Sequence, residues 1–288
     1  MAVITICSAK GAPGVTTTAL LLAALWPRPV LLVDADPAGG DVALRMSDPA
    51  GQPLDPARGL LTLLPLARRA LSPQSLFDHA QTVAGGTPVL AGLAGPEQAG
   101  AVGALWQNLA TAFGDAATDV IVDAGRMHST SVHLPLARYA DVLVTVVRAE
   151  VGAVMHVREQ QRALGPLLQR PDGRFPRVGL LVVHDVRDLA GAAEAAETVR
   201  SAVSWVEPVG QIADDAQAAG MFAGRPIRRP ERSMLVRSGR QVVQDLLHRL
   251  PAQPGAAMPV VGSGTWSGPG ASPNRRSARR QPGRQVVR

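Results

Sequence analysis

Cysteine and lysine are almost missing from this 288-residue chain: it has one cysteine, Cys7, and one lysine, Lys10. A single cysteine excludes an internal disulfide framework and suits a reducing compartment. Cys7 lies inside an apolar run, so a small buried core residue is expected there rather than a reactive thiol. Aromatic residues make up only 3% of the chain, too few for a stacking platform that reads bases. No apolar run reaches the roughly 18 residues of a membrane-spanning helix. The opening "MAVITICSAKG" has no basic region ahead of its apolar run and no cleavage site, so export is not expected. The dispersed histidines and the lone cysteine offer no zinc-ligand spacing.

Acidic residues are missing from one end. Residues 251–288 carry six arginines (275, 276, 279, 280, 284 and 288) and no Asp or Glu, which leaves residues 1–250 with 23 basic and 23 acidic side chains. The net charge of +6 therefore belongs to the tail. After Leu250 the composition turns to Pro, Gly, Ser and Arg without periodicity. Such a segment buries too little apolar surface to offset its ordering entropy, and disorder is expected over 251–288. Its arginines suit contact with DNA phosphate or another anionic surface; six engaged phosphates would give a salt slope near about −5. A solubilising tail is the plainer alternative.

Residues 1–250 alternate short apolar runs with helical patterns, which predicts an α/β domain: a doubly wound, mostly parallel sheet with helices on both faces. Strands are expected at "VITICS" (3–8), "PVLLVDAD" (29–36), "TPVLAGL" (87–93), "DVIVDAG" (119–125), "DVLVTVVRAE" (141–150), "RVGLLVVHD" (177–185) and "WVEPVGQI" (205–212). "GLLTLLPLARRAL" predicts a helix interrupted near Pro65, and "AVGALWQNLATAF" a single helix. "GRQVVQDLLHRL" places Val242, Val243, Leu246, Leu247 and Leu250 at helical spacing.

The first strand runs into "SAKGAPGVTTTAL". A strand, a glycine-containing turn and a helix aim backbone N–H groups and a helix N-terminus at one point, where an anion is attracted. Gly11 and Gly14 shape this loop, and Thr16 and Thr17 supply hydroxyls. "VIVDAG" resembles a Walker B strand end, with Asp123 as the carboxylate that holds a metal through water. The plain alternative is a turn aspartate ending a strand. Asp214 and Asp215 are adjacent and so read as a solvated loop. His128 and His133 lie near Ser129 and Ser131, yet the sequence has no G-x-S-x-G elbow; a switch segment after Asp123 is expected instead.

The ordered set "SAKGAPGVTT", "LLVDADPAGGD" and "VIVDAG", each at the C-terminal end of an expected strand, resembles the ParA/MinD family of deviant-Walker P-loop ATPases over about residues 1–250. "ARYADVLVTVVRAEVGAVMHV" and "VEPVGQIADDAQAAGMFAGRPI" extend the likeness. The resemblance implies ATP and Mg²⁺ as cofactors and a nucleotide-dependent homodimer, in the cytoplasm or peripheral at nucleoid or inner membrane. It implies a phosphate loop made by Lys10, Gly11, Ala12, Gly14, Val15, Thr16 and Thr17. Lys10 takes the place of the signature lysine that reaches across the dimer to the partner's phosphates, Thr16 and Asp123 hold Mg²⁺, and Asp36 orients water. Asp34 is then a metal-shell or structural neighbour. The departures are specific. Ala9 and Ala12 replace glycines, Pro13 removes a backbone donor, and Val15 replaces the loop lysine. Loss of that charge-assisted bond, worth roughly 1.5–3 kcal/mol, predicts binding weaker by about tenfold to a hundredfold. His184 or Asp185 stands where the family has an adenine-contacting asparagine, and Ala213 replaces a nearby proline. Two functions therefore stay open: an ATP-dependent switch, with weak hydrolysis, that positions DNA or a secretion or pilus assembly as cargo, and a hydrolysis-deficient scaffold of the same fold, like pilus-assembly relatives with eroded motifs.

Overall fold

The computed structural model of the protein describes residues 1–10, 14–69 and 71–250. The expectations for Gly11, Ala12, Pro13 and the 251–288 tail lie outside the described residues. Eight strands form one sheet: β1 (Val3–Ser8), β2 (Val30–Asp34), β3 (Gln81–Thr82), β4 (Pro88–Leu90), β5 (Asp119–Arg126), β6 (Val142–Arg148), β7 (Arg177–His184) and β8 (Val206–Ala213). Their order is β3-β4-β2-β5-β1-β6-β7-β8. Only the short β3 runs antiparallel to its neighbour; the other pairings are parallel. Every residue of β1 and β2 is buried, as the unbroken apolar runs require of strands covered on both faces.

The first helices are α1 (Val15–Leu25), α2 (Val42–Arg45), α3 (Leu60–Ala67), α4 (Pro73–Asp78), α5 (Pro96–Val102) and α6 (Leu105–Gly114). After β5 come α7 (Leu134–Arg138), α8 (Val151–Leu164), α9 (Leu189–Ala202), α10 (Ala216–Ala219) and α11 (Met234–Arg249). One face of the sheet packs under α1 and α11, where Ile4, Ile6, Leu32, Val144, Val146 and Ile212 meet Leu21, Leu22, Val242, Val243 and Leu246. On the other face Leu31, Val33, Val120 and Val122 pack under α3, α5 and α6, and Leu143, Val147, Leu180 and Val182 under α8 and α9. In α11 the apolar stripe at three- and four-residue spacing faces inward, and Ser233 caps the helix by accepting from the Val236 N–H at 3.2 Å.

Two helix readings change. Pro65 sits inside an unbroken α3; the carbonyl deprived of its donor belongs to Leu61, on the solvent side of the helix. The stretch read as one helix is two, α5 and α6, because Gly103 takes a positive φ of 51 with ψ −126, a backbone conformation open to glycine, and turns the chain between them. The strand expected over 87–93 shortens to three residues, and the glycine that follows it, Gly92, packs against Asp34 instead of extending the ladder. Cys7 is fully buried, and burial pushes its thiol pKa up to about 12.

The N-terminal edge of the sheet is tied by Asp119, which is 2% exposed. Its carboxylate accepts from the Ala2 N–H at 2.8 Å and the Trp26 indole N–H at 2.8 Å, and it pairs with Arg28 at 2.7 Å. Three segments meet on one side chain. Removing it leaves a buried guanidinium, an indole N–H and a backbone N–H without their acceptor. Asp119→Ala is expected to cost about 3 kcal/mol, on the scale of breaking a buried pair, read as a drop in urea-unfolding midpoint at unchanged slope.

Candidate functional site

The parallel register brings the C-terminal ends of β1, β2, β5, β6, β7 and β8 to one edge, the place where open α/β sheets bind ligands. The helix α1 starts there. Its N-cap, Gly14, has φ 83 and no side-chain cap, and the Gly14 carbonyl accepts the first helical bond, from the Thr18 N–H, at 2.8 Å. A left-handed residue at this point turns the strand–loop into the helix and leaves the first N–H groups facing the edge. Thr16 and Thr17 are partly exposed beside it, whereas Thr18 is buried. Val15, at 2% exposure, packs into the apolar cluster under α1 and α11. Position 15 thus contributes its backbone to the loop while its side chain belongs to the core.

The aspartates converge. Asp34, the last residue of β2, and Asp123, in the C-terminal half of β5, are register partners on adjacent strands. The Thr16 hydroxyl lies beside Asp123 and lowers its pKa, and the Asp123 carboxylate accepts from the Gly125 N–H at 3.0 Å. Asp34 accepts from the Val42 N–H at 2.9 Å. Each carboxylate has one oxygen, Oδ1 of Asp34 and Oδ2 of Asp123, that is buried without a partner. Burial and then the facing Asp123 charge raise the Asp34 pKa to about 8; burial, with a contribution from Asp36, raises Asp123 to about 6. Glycines shape the space around them, since a Cβ on Gly40 or Gly92 would come within 2.7 or 2.9 Å of the Asp34 carboxyl group. Asp36 is held by the Ala38 N–H at 2.8 Å and lies over Gly125, where a Cβ would be 2.1 Å from its carboxylate. Gly125 is also left-handed, at φ 56, so this position tolerates no side chain on two counts. Burial leads the upward shift of the Asp36 pKa and nearby Arg126 opposes it.

A hydroxyl and two unpartnered carboxylate oxygens in one dry corner are hard oxygen donors of the kind Mg²⁺ accepts, directly or through water. The residues present fit that ion: Thr16 and Asp123 in contact, with Asp34 behind them.

Lys10 is exposed. It lines a cavity of about 310 Å³ together with Ala9, Val146, Val147, Arg148 and Glu150. A second cavity, of about 240 Å³, runs from Gly14, Thr17 and Thr18 to Arg148, Val183, Ala213 and Asp214. His184 itself is buried and faces the Asp185 carbonyl at 2.7 Å. A roomier cleft of about 650 Å³, between Phe175 and Trp205, opens at the opposite edge of the sheet; it has none of the clustered carboxylates or the helix N-terminus.

The segment after Asp123 is fixed from behind. His133 donates through Nε2 to the Ala124 carbonyl at 3.0 Å, and burial lowers its pKa to about 4, so it is a neutral structural donor rather than a base beside Ser129 or Ser131. The side-chain amide of Gln160, on α8, donates to the Ser8 carbonyl at 3.1 Å and the Met127 carbonyl at 2.6 Å. One buried amide therefore joins the ends of β1 and β5 to α8. Sequence reasoning missed Gln160, for which a helical glutamine gives no signal. It also missed Arg148 and the bond between Arg148 and Asp214, which is 2.5 Å long. Asp215 caps α10 by accepting from the Ala218 N–H.

The raised Asp34 pKa has a definite sign. The folded state binds a proton that the unfolded carboxylate releases near pH 4, so this group costs stability as pH rises from about 4 to about 8. Asp34→Asn keeps an acceptor for the Val42 N–H without the charge. It is expected to raise stability without Mg²⁺ by about 1–3 kcal/mol at pH 8 and by much less at pH 5, measured by denaturant unfolding at both values.

No protein-family model and no curated protein matches the sequence. Solved structures do. An McdA–ATP complex from Cyanothece superposes with a TM-score of 0.64 at 15% identity, covering 88% of this chain and 98% of that one. A ParA family ATPase from Chlorobium tepidum TLS gives 0.62 at 18%, covering 84% and 98%. The septum site-determining protein MinD complexed with Mg-ADP, from Pyrococcus horikoshii OT3, gives 0.61 at 16%, covering 85% and 95%. With the strand order and the strand–loop–helix at the carboxyl edge, these likenesses establish that the chain has the ParA/MinD-like P-loop ATPase fold.

Proposed function

We propose that residues 1–250 form a nucleotide-binding domain that takes ATP with Mg²⁺, dimerises around it and positions a cargo. The observation that carries this reading is the Thr16–Asp123 contact in front of the α1 N-terminus, with unpartnered carboxylate oxygens on Asp123 and Asp34. Buried polar atoms without partners are costly and rare, and a hydrated divalent cation is the occupant that would satisfy both oxygens at once. Similarly folded proteins add support, since the McdA structure is a complex with ATP and the MinD structure a complex with Mg-ADP.

In this reading Gly11, Ala12, Gly14, Val15, Thr16 and Thr17 wrap the phosphates with backbone and hydroxyl donors. Thr16 and Asp123 hold Mg²⁺, which when bound neutralises charge on phosphate oxygens. Asp36, seated on Gly125, orients water at the open side. Lys10 serves the partner's phosphates, and its exposure leaves it free to reach out of its own subunit. The arginines of residues 251–288 supply a nonspecific contact to DNA or another anionic surface, and the cargo is a protein or nucleic-acid assembly.

A second reading has its own observation: Val15 packs in the core, where a phosphate loop carries a lysine. A scaffold of the same fold with little or no turnover would tolerate that. Titration of a fluorescent ATP analogue with Mg²⁺ separates the two, with light scattering to follow the oligomer. The switch predicts saturable binding, a nucleotide-dependent rise to the dimer mass, and loss of that dimer in Lys10→Ala. Absence of binding at millimolar nucleotide selects the scaffold. Asp123→Asn is expected to weaken the Mg²⁺ dependence about tenfold or more, since it removes a charged ligand from a buried site; an unchanged Mg²⁺ requirement would remove Asp123 from the metal shell.

A further inference from the structure

The phosphate loop lacks a cation where Val15 stands, and the fold brings another one to the same place. Along β6, Val144 and Val146 both pack into the cluster beneath α1 and α11. Side chains alternate along a strand, so Arg148, next in that two-residue series, leaves β6 on the face that α1 covers. The β1–β6 register pairs Ser8 with Val146; Lys10 and Arg148 each lie two residues beyond that pair. Arg148 accordingly borders both cavities at this edge: the one that holds Lys10, and the one that reaches Gly14, Thr17 and Thr18 at the start of α1.

Its present partner is exchangeable. The Arg148–Asp214 pair spans 2.5 Å, with side chains 42% and 38% exposed, and ion pairs this open to water are weakly held. Other arginines near the carboxylates are turned to other work: Arg45 pairs with Asp41, and Arg126 faces Asp36. A guanidinium is permanently charged and presents a planar fork that matches phosphate oxygens.

We propose that Arg148 is the phosphate-facing cation of this site, replacing within the same subunit the charge absent at Val15 and exchanging Asp214 for phosphate oxygens when nucleotide binds. The inference rests on the nucleotide reading above and adds a contact to it. It divides the two single-sided cations by task, with Lys10 available to the partner subunit and Arg148 to its own.

The test uses the full chain and two displacing probes, MgATP and inorganic tripolyphosphate, against a fluorescent ATP analogue. Arg148→Ala is expected to weaken both by the same factor, roughly tenfold to a hundredfold, or about 1.4–2.8 kcal/mol at 1.4 kcal/mol per decade. Arg148→Lys keeps the charge and is expected to recover part of the loss. Thermal unfolding of both variants should stay at the wild-type midpoint, because the pair removed is exposed. Weaker MgATP binding with tripolyphosphate unchanged would place Arg148 on the base and overturn the proposal. So would a loss that Arg148→Lys does not relieve at all, or one matched by a fall in thermal midpoint in both variants. Unchanged binding of both probes by Arg148→Ala overturns this contact alone and leaves the nucleotide site standing. Failure of the wild-type chain to bind either probe overturns both.

Discussion

Two carboxylates that share a register level and are shut away from water set the terms for this edge of the molecule. Asp34 and Asp123 face each other across neighbouring parallel strands, each with an oxygen that finds no protein donor. Like charges in a dry corner repel, and burial already disfavours each charge alone; the upward shifts of both groups follow. A fold keeps such an arrangement only where something else benefits from it. The surrounding glycines point the same way: Gly40, Gly92 and Gly125 leave room for carboxylates where any side chain would collide.

Around this corner the supporting bonds come from distant parts of the chain. Ala35 N–H donates to the Asp123 carbonyl at 2.7 Å, locking the β2 end to β5, and Met127 N–H donates to the Ser8 carbonyl at 3.0 Å, locking β5 to β1. Gln160 then fastens Ser8 and Met127 to α8, and His133 fastens Ala124 to α7. These partners are helical or loop residues whose amides and ring nitrogens replace water for carbonyls at the strand ends. Gln160 thus couples α8 to the end of β1 and to the segment after Asp123. At the opposite edge Asp119 gathers Ala2, Trp26 and Arg28, and Asp141 accepts from the Val3 N–H at 2.8 Å. Rigidity at that end lets the working end be built from unsatisfied groups.

The eroded loop also becomes intelligible as a redistribution of charge. With Val15 drawn into the core, the α1 N-terminus keeps its backbone donors and loses its own cation. Basic side chains remain at the same edge, on β6 and on the residues after β1: Lys10 and Arg148 share one cavity, and Arg148 also borders a second. A guanidinium delivered from a neighbouring strand offers two parallel donors, where an ammonium on the loop offers a point charge.

Much of this was legible in the chain itself. Unbroken apolar runs ending in Ser8, Asp34 and Asp123 identify buried parallel strands, because a strand covered on both faces has no polar side to show. Gly14 before a run of threonines marks the helix start for a local reason, the left-handed turn that only glycine makes freely. The tertiary structure decided the rest. Pro65 reads as a helix breaker in sequence and Gly103 does not, yet α3 runs through Pro65 and α5 ends at Gly103. Nothing near Arg148 or Gln160 distinguishes them from ordinary surface and helical residues; their partners lie 66, 152 and 33 positions away. Local pattern governs which face of an element is apolar. Only the alignment of separate strands determines which ends meet, and it is at those ends that charge is left without a partner.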